Sequence, residues 1–153
     1  MTIIAVDRSG DIGFTDVWFA AVKEVGGQSH RAIFVHRDAQ LSYSRLYPLR
    51  WRDHFAAASM FYVVSQLFRP GDSILVDKDY QGVTAEYIKE RIQRLFGLRF
   101  INNRMASKPQ IEFVPKRYSE NVKRADLKSK KARHGAIRVE RNPNLNRLLQ
   151  DLS

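Results

Sequence analysis

The sequence predicts an α/β protein, a mixed sheet with helices on both faces, in one domain over residues 1–153. Three observations carry this. The first third holds three apolar runs, with a Gly-Gly junction between the second and third that marks antiparallel neighbours. The remainder alternates short apolar runs with longer segments of helical period, which calls for parallel crossovers. A chain of 153 residues can bury a real core and is one domain by default.

The elements follow in order. Residues 2–6 read T-I-I-A-V, a short β-branched-rich run expected as a buried strand. Residues 16–25 form a second strand, with Trp18, Ala20 and Val22 on one face. Gly26-Gly27 turns the chain into a third strand at 32–35. Residues 36–48 are expected as a polar connection. From 49 to 68 the pattern is helical, and 55–64 is apolar almost all round, as in a helix buried on several sides. Pro70-Gly71 ends it.

Residues 73–76 make a fourth strand that runs into Asp77, and a turn follows through Gln81-Gly82. Residues 83–96 have an amphipathic pattern, with Ala85, Ile88, Ile92, Leu95 and Phe96 on one face and Gly97 as the stop. Two short strand candidates, 98–101 and 111–114, flank a loop through Asn102-Asn103 and Lys108-Pro109. Residues 121–136 read as a helix whose stripe of Val122, Ala125, Ser129, Ala132 and Ala136 permits close packing on a sheet. Pro143 opens a short candidate helix with Leu145, Leu148 and Leu149 apolar.

Composition narrows the function classes. The net charge is +10, which favours a polyanionic partner. There is no cysteine, so disulfides, zinc-thiolate sites and cysteine nucleophiles are excluded. No apolar run approaches the ~20 residues needed to cross a bilayer, and no signal-peptide pattern opens the chain. A soluble, cytoplasmic protein with no membrane partner is the expectation. His30, His36, His54 and His134 lack metal-ligand spacing. Phosphate-binding glycine loops, dinucleotide fingerprints and nucleophile elbows are absent.

Three acids stand in comparable places. Asp7 closes the first strand, Asp77 closes the fourth, and Asp126 lies at the border of the small-residue stripe on the last long helix. If the first and fourth strands are parallel neighbours, both strand-end acids emerge at one edge, where ligands of open α/β sheets bind. Three converging carboxylates repel one another unless a cation is present. An all-oxygen set suits a hard ion, Mg²⁺ or Mn²⁺. A plainer reading stands beside this one. Asp7 and Asp77 could bond turn amides, and Asp126 could pair with Lys130 at i,i+4.

Together these residues resemble the ribonuclease H-like superfamily of nucleases, resolvases and integrases. More narrowly, V-D-R-S-G-D-I-G resembles superfamily members that open with D-E-S-G-D-x-G and carry a late A-D-L, here Ala125-Asp126-Leu127. The resemblance implies a ribonuclease H-like mixed sheet and a divalent-metal-dependent nuclease. Asp7, Asp77 and Asp126 would be its catalytic metal ligands. The chain departs from the pattern twice. Arg8 replaces an acid, on the face opposite Asp7. The first long helix carries only Asp53 near its start, so Asp53, Asp11 or Asp79 would have to supply a fourth carboxylate, or the site is incomplete.

From about residue 116 the charge is one-sided. Lys116, Arg117, Lys123, Arg124, Lys128, Lys130, Lys131 and Arg133 are the expected contacts to a nucleic-acid backbone. Tyr118 is a candidate stacking residue. The alternative function is a non-catalytic nucleic-acid-binding protein on the same fold.

Overall fold

The computed structural model describes residues 2–24, 27–77, 83–100 and 108–153. Its elements are β1 (Ile3–Ser9), β2 (Val17–Glu24), β3 (Gln28–Val35), α1 (Arg37–Leu46), α2 (Trp51–Ser65), β4 (Ser73–Asp77), α3 (Val83–Phe100), β5 (Ile111–Val114), α4 (Glu120–Arg133), β6 (Glu140–Arg141) and α5 (Asn146–Leu152). A 3-10 turn at Lys116–Tyr118 leads into α4. The strands form one six-stranded sheet in the order β5-β4-β1-β2-β3-β6. β1, β2 and β3 are antiparallel neighbours. β4 lies parallel to β1, β5 parallel to β4, and β6 parallel to β3. The expected mixed α/β sheet with helices on both faces is therefore present.

Alternation along each strand sends side chains to two unlike faces. Ile4, Val6, Phe19, Ile33, Ile74 and Val76 join the large core with α1, α2, α3 and α5. Helix α2 is buried along most of its length, including Phe55, Met60, Phe61 and Val64, as its nearly unbroken apolar run requires. Phe61 meets Phe96 of α3 edge-on, with ring centroids 4.9 Å apart. The opposite face carries Ala5, Ala20, Val22 and Ala32, and α4 lies on it through Val122, Ala125 and Ala132. Small side chains on both surfaces let that helix sit close to the sheet.

Several local expectations are corrected. The connection at 36–48 contains α1, capped by His36, whose Nδ1 accepts the Asp38 amide at 3.1 Å. Beside Tyr43, which joins the core, its other buried anchor is polar: Gln40 donates to Thr15 O and Val35 O and accepts the Gly13 amide. A hydrophobic-period reading passes over such a helix. Gly97 does not stop α3, which continues to Phe100, so 98–100 are helical rather than a strand. A Cβ at Gly97 would meet nothing, so this glycine weakens the helix without ending it. Helix α2 is shorter at both ends than the expected 49–68. Ala136 falls beyond α4 and is exposed. Gly26, the Gln81-Gly82 turn, Asp79, Ile101, Asn102-Asn103 and the Tyr118 side chain lie outside the described residues.

Candidate metal centre

The centre begins with strand register. β1 and β4 run parallel, with Ala5 opposite Leu75 and Val6 opposite Val76. The next position in that register sets Asp7 beside Asp77 at the carboxyl ends of both strands. Ala5 and Leu75, two residues earlier, pack toward α4, so the period of two turns both acids to the same side. Asp77 is also paired across the sheet with Val114 of β5.

Helix α4 brings the third acid. Ser119 caps it, its Oγ accepting the Val122 amide at 3.3 Å. Ala125 is fully buried against the sheet, which leaves Asp126 at the border of the contact, half-buried and turned toward the strand ends. The Ser129 hydroxyl donates to Asp126 O at 2.8 Å. One carboxylate oxygen from each of Asp7, Asp77 and Asp126 lies within 4.8 Å of the other two. The three residues expected to converge do converge.

The turn after β1 fixes the rim. Gly10 has φ +95°, and a Cβ there would collide with Asp16 O, so only glycine fits.

Charge at the site is finely balanced. Asp7 is 3% exposed, and its buried Oδ2 has no hydrogen-bond partner among the described residues. Burial, above all, pushes its carboxyl up to about 9. A hydrogen bond to Asp126 and the nearby charges of Asp77 and Asp126 add to this, against the Arg8 amide. Asp7 therefore holds a proton at neutral pH when no cation is bound. Burial also acts to raise Asp126, but hydrogen bonds from Asp7, Lys130 and Lys116 outweigh it and hold that carboxyl below its usual range. Lys116 Nζ and Lys130 Nζ reach the same Asp126 Oδ2, at 3.2 and 3.0 Å. The hydrogen bond to Asp126 in turn raises the Lys116 ammonium. The i,i+4 pairing and the carboxylate cluster, posed by the sequence as alternatives, thus coexist.

The cluster offers oxygen ligands alone and could hold a metal ion.

The acids considered for a fourth place are elsewhere. Asp53 pairs with Arg50 on α2, with Oδ2 3.0 Å from Nη2. Asp11 is exposed in the turn, where its carbonyl accepts the Phe14 and Thr15 amides. Neither joins the cluster. Arg8 is part-buried on the face opposite Asp7.

The basic segment divides. Lys116 and Lys130 touch the cluster directly. Arg133, one helical step beyond Lys130, lies 3.5 Å from Ser9 Oγ. Lys123 pairs with Glu120 and Arg124 with Glu24. Lys128 lies near His30, whose imidazole is held below its usual pKa by burial above all and then by the Lys128 charge. Arg117 and Lys131 are exposed. The sequence reading paired Asp126 with Lys130 through the i,i+4 spacing but did not single out Lys116 as a second direct partner. No family model matches the chain, and no curated protein matches it in sequence.

Proposed function

We propose that this protein is a divalent-metal-dependent nuclease of the ribonuclease H-like kind, hydrolysing phosphodiester bonds in nucleic acid. The observation that carries the reading is the convergence of Asp7, Asp77 and Asp126 within 4.8 Å at the carboxyl ends of two parallel central strands. The sheet supports it too: three antiparallel strands, with parallel strands added beside β1, is the arrangement the sequence resemblance implies.

Asp7, Asp77 and Asp126 would hold the cation, Mg²⁺ or Mn²⁺. When bound, such an ion lowers the pKa of water and stabilises charge on a phosphoryl oxygen. Asp7 must give up its proton for this, so its buried carboxyl couples cation binding to pH. Lys116 and Lys130 are half-exposed and free to swing from Asp126 to a phosphate as the cation takes their place. The net charge of +10 attracts the polyanionic substrate.

The test is cleavage of single- and double-stranded nucleic acid in Mg²⁺ or Mn²⁺. Asp7→Asn and Asp77→Asn are each expected to abolish turnover while leaving nucleic-acid affinity largely intact. Variants as active as the wild type would remove these residues from the chemistry.

One observation favours a second reading, a nucleic-acid-binding protein without catalysis. The proton on Asp7 and the ammonium groups of Lys116 and Lys130 already balance the three carboxylates. That reading predicts steep salt dependence of binding and no turnover in any divalent metal.

A further inference from the structure

A second feature of the same sheet edge lies next to the carboxylates and uses none of them. Register places Ser9 of β1 opposite Trp18 of β2, Trp18 opposite Phe34 of β3, and Phe34 opposite Arg141 of β6. These four residues form one row across the sheet. The row lies one pleat beyond Asp7 and on the same face. From Ser9 to Arg141 it spans three strand spacings, about 14 Å.

Two arginines ride on this row. Arg133 comes from the end of α4, reaches Ser9 Oγ at 3.5 Å, and stands over the Trp18 ring at 5.7 Å. Arg141 stands over the Phe34 ring at 5.3 Å. The two rings are themselves in contact, with centroids 5.2 Å apart. Both arginines are exposed, and neither is paired with an acid among the described residues. A guanidinium stacked on an aromatic ring is held in orientation while its N–H edge remains free.

We propose that Arg133 and Arg141 are phosphate-holding groups of a track for a single nucleic-acid strand, leading from the carboxylate cluster across β2 and β3 to β6. The proposal deepens the nuclease reading and rests on its assignment of nucleic acid as the partner. The outer rim argues for one strand rather than a duplex. Asp11, Asp16 and Asp38 stand just outside the ends of β1, β2 and β3, with Asp16 and Asp38 around His36. A second phosphate backbone would meet those carboxylates. Trp18 and Phe34 orient the arginines from below; Phe34 is buried and does not itself offer a face to a base.

The experiment is binding of a fluorescent oligothymidylate in EDTA across a salt series, comparing wild type with Arg133→Gln/Arg141→Gln. A control double variant, Lys89→Gln/Arg94→Gln on α3, removes the same charge from the other side of the sheet. The row variant is expected to bind about tenfold more weakly and to lose about 1.4 from the slope of log affinity against log salt, two single-strand contacts' worth. The control is expected to change far less. Arg141→Gln alone, on the short exposed β6, gives half the slope change and serves if the double variant does not fold. Equal losses in row and control variants overturn the proposal, as does stronger row dependence for a duplex than for the single strand. Because EDTA removes divalent metal, row-dependent binding without turnover in Mg²⁺ or Mn²⁺ would sink the nuclease reading and leave the track standing. Row-independent binding with turnover would do the reverse.

Discussion

The two faces of the sheet are built to different rules. One carries large apolar side chains, covered by four helices and closed by Phe19, Phe55, Phe61 and Phe96. The other carries small alanine and valine side chains under a single helix, alongside Leu75, Trp18 and Phe34, and ends in three carboxylates. Close-packed aromatic burial accounts for stability, because apolar area removed from water is the main favourable contribution to folding. The thin face buries less, but its small residues fix the height of α4 to within a side chain. That height is what brings Asp126 to Asp7 and Asp77. Stability and site geometry are thus largely separable, and substitutions on the two faces should fail in different ways.

The largest effect belongs to the thick face. Phe55 is fully buried against Phe19, Tyr43 and Trp51. Phe55→Ala should cost about 3–5 kcal/mol in denaturant unfolding. Its folded fraction should bind divalent metal as the wild type does. Loss of metal affinity in the folded variant would show that the faces are not separable.

Asp7→Asn should act in the opposite direction. Its carboxyl is raised to about 9 in the fold and is ordinary, about 3.9, when unfolded. The stability that goes with a neutral Asp7 is therefore full below about pH 4 and is lost as pH rises toward 9. Asparagine carries no such loss. In EDTA at pH 8 the variant should be more stable than wild type, with the gain fading toward pH 4. Asp126 has the contrary sign, its carboxyl lying below the usual range, so its contribution falls away only on the acid side. A Tm at pH 8 lower for Asp7→Asn than for wild type would contradict the strained-carboxyl account.

Ala125→Leu tests the thin face. Extra methylenes beneath α4 should cost about 1–3 kcal/mol and lift Asp126 away from the strand ends. Metal affinity should fall by more than stability does. Equal metal binding at reduced stability would mean that helix height does not set the site. Smallest is the effect of Lys116→Gln with Lys130→Gln. Each removes a half-exposed ion pair worth about 0.2–1 kcal/mol, and so should raise metal affinity a few-fold by freeing Asp126. A drop instead would make the lysines supports of Asp126 rather than competitors.

The same contrast explains what could be read from the sequence. Asp7 and Asp77 were legible because each follows a short apolar run, and strand alternation then dictates their shared face. Asp126 was legible from the spacing of Val122, Ala125, Ser129 and Ala132. Helix α1 was not, because one of its two inward anchors is Gln40, satisfied by backbone partners distant in sequence, and only Tyr43 beside it is buried and apolar. Strand β6 was not, because two exposed residues carry no period. Gly97 misled because a glycine stops a helix only where the backbone must turn, and α3 goes on. The division of the basic segment was hidden as well, since net charge does not say which cations are already paired.

The central claim is that Asp7, Asp77 and Asp126 form one site for a hard divalent cation, gated by the proton on Asp7. Titration calorimetry with Mn²⁺ in two buffers of different ionisation enthalpy tests it most directly. The account predicts saturable binding with net proton release near neutral pH, and binding weakened severely by Asp7→Asn and by Asp77→Asn. Absence of saturable binding at millimolar Mn²⁺, or binding with no proton release and indifferent to both substitutions, would contradict it.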